Sequence, residues 1–190
     1  MRFGGIGFSD FGASASIHPV YAFIAGVAVY FVILGVIELS AKALGLRERL
    51  HDLSFETMRM IWPRNRLQKT VAFVGVCFLN PFTEEIVYSG ILVHHFGEYI
   101  GDFATAAVIG IVLSLAAHMY QGSWSLPFQA LFHGAAVALI LSPLGLFACF
   151  GLHFAGDLIP VVTMRANMKS WSDRRRSRRI RRSDPETSLR

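Results

Sequence analysis

Apolar positions along this chain come in long runs, and five of them approach the roughly 20 residues that cross a bilayer core. They run from about Ile17 to Leu39, from Thr70 to about Tyr99, from Phe103 to His118, from Leu126 to Leu141 and from Leu144 to Met164. The second is long for one span and is interrupted by Asn80-Pro81. Proline removes a helical hydrogen bond, which predicts a kink or a fresh helical start at that point. The segment "EYIGD" reads as a tight turn between the second and third runs, and Ser142-Pro143 as the turn between the fourth and fifth. The first run is too long for a signal-peptide core and lacks a small-residue cleavage site, so an anchor is expected. No internal repeat is visible, and "MRFGGIGFSDFGASAS" before the first run predicts no element. The pattern predicts an all-α, multi-span transmembrane helical bundle with about five spans. It divides into an anchor helix and basic loop over 1–69, a membrane core over 70–165 and a basic tail over 166–190.

Composition agrees. Hydrophobic residues make up 53% of the 190 and charged residues 16%, with a mean hydropathy of +0.46. Soluble domains carry about a quarter charged residues, so an integral membrane protein is expected. Cys77 and Cys149 both sit in apolar runs without paired-thiol or metal-type spacing and read as small buried hydrophobes. The net charge of +5 comes largely from the tail "DRRRSRRIRR". That charge describes a solvated or anionic-lipid-binding juxtamembrane segment and not a nucleic-acid surface. Lysine and arginine also fix the orientation, because short loops rich in them stay cytosolic. Lys42, Arg47, Arg49, Arg59, Arg64, Arg66 and Lys69 lie between the first two runs, while the turns at 97–102 and 142–145 hold no such residue. Five spans with the amino terminus outside and the carboxyl terminus in the cytosol satisfy every one of these biases.

Candidate chemistry lies in the polar residues inside the spans: Glu84 and Glu85 in the second, His118 in the third, His133 in the fourth, and His153 with Asp157 in the fifth. Each ionisable group at the centre of a span costs at least ~2.5 to 3.5 kcal/mol, so such groups pair, meet water or act. Glu84 lies 17 residues before Gly101 and His118 lies 17 after it, which puts both about 25 Å from the outer turn. Asp157 is 13 residues from Leu144, about 20 Å down, and His153 is one helical turn nearer the outside. Carboxylates and imidazoles from three helices therefore converge in the cytosolic half of the membrane. His153 and Asp157, four apart, share a helix face. Glu84 and Glu85 point about 100° apart, so one can face a cavity while the other braces a neighbouring helix. Two carboxylates held close do not both ionise easily in low dielectric, which suits one of them to general-base work. A glutamate that takes a proton from water, beside histidines that hold the water or steady an oxyanion, is a peptide-hydrolysis set. His133 reads as packing or support, and His94 with His95 as interfacial.

"EEIVYSG", "SLAAHMYQG" and "GLHFAGD" resemble, in order and approximate spacing, the three motifs of the CPBP family. That family comprises type II CAAX prenyl proteases and bacteriocin-processing or immunity proteins of the Abi kind. Its pattern is Glu-Glu-x-x-x-Arg, then Phe-x-x-x-His, then His-x-x-x-Asn or Asp. The resemblance covers about residues 70 to 165 and implies a four-helix catalytic core with a chamber open to the cytosol. It implies Glu84 as the water-activating base with His118 on the same water, His153 and Asp157 on the oxyanion side, and Glu85 as the supporting carboxylate. Two positions depart from the pattern. Ser89 stands where the family has arginine and leaves Glu85 without that counter-charge. Ser114 stands where it has phenylalanine, one turn before His118.

The resulting expectation is an intramembrane endopeptidase of a bacterial inner membrane, acting on a peptide or protein substrate. A catalytically silent binding or immunity protein is the first alternative, motivated by Ser89 and Ser114. A proton- or ion-conducting protein using the same carboxylates is the second. No cofactor is expected. Glutamate and histidine can ligate zinc, but no His-Glu-x-x-His pair lies on one helix, and two carboxylates with two histidines also work without metal.

Overall fold

The computed structural model describes residues 2–3, 6–13, 16–50, 52–53 and 65–183. Arg59 and Arg64 of the basic loop, and the tail end from 184 to 190, lie outside the described residues. The chain is a helical membrane bundle. Two-residue strands, Arg2–Phe3 and Ile6–Gly7, pair antiparallel at its start and lead into a 3-10 turn, Phe8–Phe11. Helix α1 is Pro19–Ala43, α2 is Leu67–Ile100, α3 is Phe103–Ala117, α4 is Leu126–Ile140 and α5 is Gly145–Ser183. All five predicted runs are helices, with ends that move by a few residues except in α5, which runs past the predicted end at Met164 to Ser183.

Local chemistry sets the helix ends. Asn65 and Gln68 form a reciprocal capping box at the start of α2, with the Gln68 amide donating to Asn65 Oδ1 at 2.8 Å. The predicted turn between α2 and α3 is closed by Gly101 at φ +70, a left-handed position that suits glycine, followed by Asp102 as N-cap. Asp102 accepts from the Ala104 and Thr105 amides at 2.9 and 3.2 Å.

Pro81 does not break α2. The helix instead widens into π-helical turns at Gly75–Leu79 and Ile86–His95, which flank an α-helical turn, Asn80–Glu85. The Asn80 amide reaches back five residues to the Gly75 carbonyl. Wider turns absorb the hydrogen bond that proline cannot make, and such bulges recur at functional sites. Both glutamates therefore sit at the end of a short α segment between two irregular stretches.

Helices α1 and α2, the stretch Ser123–Ile140 that joins a 3-10 turn to α4, and the apolar part of α5 over Gly145–Thr163 are long and apolar enough to cross a membrane. Helix α3, the third predicted run, has 15 residues, about 22 Å at helical rise, and is shorter than the roughly 20 residues that cross a bilayer core. It stops at His118 because the chain then turns through two 3-10 turns, Met119–Gln121 and Ser123–Ser125, around Gly122 at φ +90.

The tightest packing joins α1 to α5. Ala22, Gly26, Tyr30 and Ile33 form one buried stripe on α1. A Cβ at Gly26 would collide with the Ala148 carbonyl, and one at Gly151 with the Phe23 carbonyl, so small residues let the two backbones touch. Leu146, Cys149 and Leu152 of α5 are fully buried, with the Cys149 thiol donating to the Ala136 carbonyl of α4 at 3.3 Å. Both cysteines are buried and free, as their apolar settings predict. The segment before α1, silent in the sequence pattern, packs Phe11 onto this core and accepts from the Leu146 amide through Gly12, at 3.0 Å.

Candidate active site

The five residues singled out from sequence meet in one place between α2, α3 and α5. Glu84 Oε2 lies 3.7 Å from His118 Nε2 and 3.7 Å from His153 Nε2. His153 Nε2 is also 3.7 Å from Asp157 Oδ2. These separations exceed a direct hydrogen bond and suit groups that face a common small molecule. Glu84 Oε2 and Asp157 Oδ2 are buried and have no hydrogen-bond partner among the described residues. Buried carboxylate oxygens without donors are rare enough to require a cause.

Glu85 is held differently. It is 2% exposed, and His153 Nδ1 lies 2.8 Å from its Oε1 while the Ser89 hydroxyl donates to its Oε2 at 2.5 Å. A carboxylate only accepts, so His153 carries its proton on Nδ1 and presents Nε2 toward Glu84 and Asp157. The adjacent glutamates thus divide as the 100° offset predicts: Glu85 braces α5 and Glu84 faces inward. Ser89, at the position of the missing arginine, is itself 3% exposed and supplies one neutral donor where a charged fork would supply several.

His118 is the C-cap of α3. Its Nδ1 lies 2.8 Å from the Ser114 carbonyl, which can only accept, so the ring proton sits on Nδ1 and Nε2 is turned to Glu84. Both imidazoles therefore present Nε2 to the same carboxylate oxygen.

Sequence reasoning left His133 as packing or support. The structure places it 5% exposed, with its ring nitrogens 2.9 and 3.1 Å from the Ser114 hydroxyl and its ring 5.3 Å from that of His118. Phe132 stands edge-on to both His133 and His153, at 5.3 and 5.4 Å. The Asn80 side chain approaches Asp157, a contact the sequence reading did not name. The signals were present in the proline-led "NPFTEE" and in a serine at a phenylalanine position. His94 and His95 lie away from this cluster, near the end of α2 at Gly101.

Among the described residues, no group of three or more His, Cys, Asp or Glu is arranged to hold a metal ion.

No curated protein and no solved structure matches the chain. A family model does: residues 66–159 match the type II CAAX prenyl endopeptidase Rce1-like family. The matched stretch begins at α2 and ends two residues after Asp157, so it contains every residue of the cluster just described. Through that stretch the chain belongs to the Rce1-like family of type II CAAX prenyl endopeptidases.

Proposed function

We propose that the chain is an intramembrane endopeptidase in which Glu84 takes a proton from water and that water attacks a peptide carbonyl. The carrying observation is the position of Glu84 Oε2, buried, without a protein donor, and equidistant from two imidazole Nε2 atoms. A water there accepts or donates to all three groups at hydrogen-bond length. His118 steadies the water. His153 and Asp157, on the opposite helix, face the side where the carbonyl oxygen gains charge, and a protonated His153 would donate to it through Nε2. Glu85 holds His153 in the required tautomer. Glu84 then returns its proton to the leaving amine. The reading requires no metal, because base and oxyanion donors are all supplied by side chains.

The cavity opens to the cytosol in this reading. Lysine and arginine crowd the α1–α2 loop and the stretch after Thr163, which supports an amino terminus outside and a carboxyl terminus inside. Helix α5 continues 20 residues beyond Thr163, about 30 Å, and its basic sequence suits an anionic membrane surface. A bacterial inner membrane accommodates both features.

A silent binding member of the family is the second reading, favoured by serine at the two departing motif positions. Cleavage of a peptide library by the purified protein in liposomes separates the two. Cleavage is expected from the native chain, lost in Glu84→Ala with insertion intact, and indifferent to a zinc chelator. Unchanged cleavage in Glu84→Ala removes Glu84 as the base, and peptide binding without cleavage establishes the silent reading.

A further inference from the structure

His118 occupies the weakest part of its helix. The last turn of an α-helix has carbonyls without following amides, so a side chain there is held only by what reaches it from elsewhere. The His118 backbone is tied to Ser114, Leu115 and Gln121, its amide shared between the Ser114 and Leu115 carbonyls at 3.1 and 3.2 Å, while its ring is tied to Ser114, with Nδ1 donating to the Ser114 carbonyl at 2.8 Å. Ser114 is 1% exposed. Serine within a helix commonly returns its hydroxyl to a carbonyl one turn back. Here the hydroxyl reaches across to α4 and meets the His133 ring nitrogens at 2.9 and 3.1 Å.

His133 is well placed to hold that end. It lies in the interior of α4, 5% exposed, with its ring against the edge of Phe132. The rings of His118, His133, Phe132 and His153 make successive contacts of 5.3, 5.3 and 5.4 Å. Helix α4 contributes no group to the water-facing cluster, yet its His-Phe pair fills the space between the two imidazoles that do. The family pattern has an apolar ring at position 114 and assigns nothing at position 133. In this chain a hydroxyl and an imidazole from two helices share that place.

We infer that His133 is a positioning residue that fixes His118 through Ser114, a paired replacement for the phenylalanine of the family motif. The inference rests on the peptidase reading for its consequence, but its geometry stands apart from it. Losing the tie lets the end of α3 drift, and a displacement near 1 Å at a reacting group lowers rate by about 100-fold. His133→Leu is expected to reduce kcat about 10-fold to 100-fold with KM changed less than about twofold, the mark of lost transition-state geometry. His133→Gln keeps a polar group for the Ser114 hydroxyl and should recover activity to within about threefold of the native chain. Ser114→Ala combined with His133→Leu should be no worse than His133→Leu alone, because both remove one tie.

A second measurement does not depend on cleavage. The side chain of His118 is 11% exposed, and mass spectrometry of diethyl pyrocarbonate labelling reads the protection of its ring. Protection should fall in His133→Leu and return in His133→Gln. If His133→Leu leaves His118 protection and kcat at native values, or if His133→Gln loses as much as His133→Leu, the positioning role is overturned. A native chain that cuts no peptide while His133→Leu still unprotects His118 overturns the peptidase reading and upholds the tie.

Discussion

Glu85 is 2% exposed, with a hydroxyl on one carboxylate oxygen and an imidazole on the other. Glu84, one residue earlier, leaves 25% of its side chain exposed and turns an oxygen without a donor toward two imidazoles. The same chemical group one peptide bond away serves two ends, because the 100° step between neighbours in a helix sends one side chain into the packed seam with α5 and the other to the cluster. The seam side is satisfied and fixed. The cluster side is deliberately under-satisfied, the condition in which a carboxylate can take a proton from a bound molecule.

The contrast predicts opposite phenotypes for the same substitution. Glu84→Gln should lower the cleavage rate by about 10²-fold to 10⁴-fold, the usual weight of a general base, with the melting temperature in detergent nearly unchanged. No protein donor is lost there. An active Glu84→Gln that melts early would invert the assignment.

Glu85→Ala should act first on folding. Removing one partner of a buried pair leaves the His153 Nδ1–H and the Ser89 hydroxyl without an acceptor, at a cost of about 3–5 kcal/mol. A sharp fall in the monodisperse fraction after detergent extraction is expected, with Glu85→Gln intermediate because its amide oxygen still accepts once. Native-like folding of Glu85→Ala would remove the bracing role.

The helices were legible because a bilayer forces spans to be long, apolar and nearly uncharged, so α1, α2, α4 and α5 are written as runs. The convergence of Glu84, His118 and Asp157 was legible for the same reason: regular rise converts residue counts from a turn into depth, from Gly101 for the first two and from Leu144 for the third. Legibility ended where the helix ceased to be regular. The π turns around Asn80–Glu85 depend on how α2 accommodates Pro81 against its neighbours, which no run of apolar residues encodes. The end of α3 at His118 coincides with the predicted third run, but the two 3-10 turns that follow were hidden, because Gly122 and the Gln129–Gln121 bond of 2.9 Å fix them and no apolar period announces them. His133 was hidden because its partner, Ser114, lies on another helix 19 residues away. Pairings of that kind follow from packing and not from period.

Ser89→Ala probes the seam more gently. It removes one of the two contacts on Glu85 and leaves the His153 bond in place, so a stability loss of about 1.5–3 kcal/mol is expected from a hydrogen bond to a charged group. Activity should fall less than in either glutamate variant. If Ser89→Ala instead lost activity as fully as Glu84→Gln while keeping its stability, Ser89 would belong to the cluster side of the comparison.

The smallest effect belongs to a carboxylate outside both regions. Asp102 caps α3 at the far turn, and the Thr105 hydroxyl, then the Thr105 and Ala104 amides, hold its carboxyl below the ordinary range. A carboxyl whose folded value is depressed stabilises the fold above its unfolded value, near 3.9, and loses that contribution as pH falls through the folded value. Asp102→Ala should therefore melt slightly below the native chain at neutral pH, with the gap closing as the buffer is taken below the unfolded value and through the depressed folded one. Its kcat should be native, because α3 carries His118 at the opposite end and the tie to Ser114 is untouched. A rate loss in Asp102→Ala at full stability would mean that the position of α3 is set from its N-cap, and the seam and cluster of α2 would then share control of the site with the turn at 101–102.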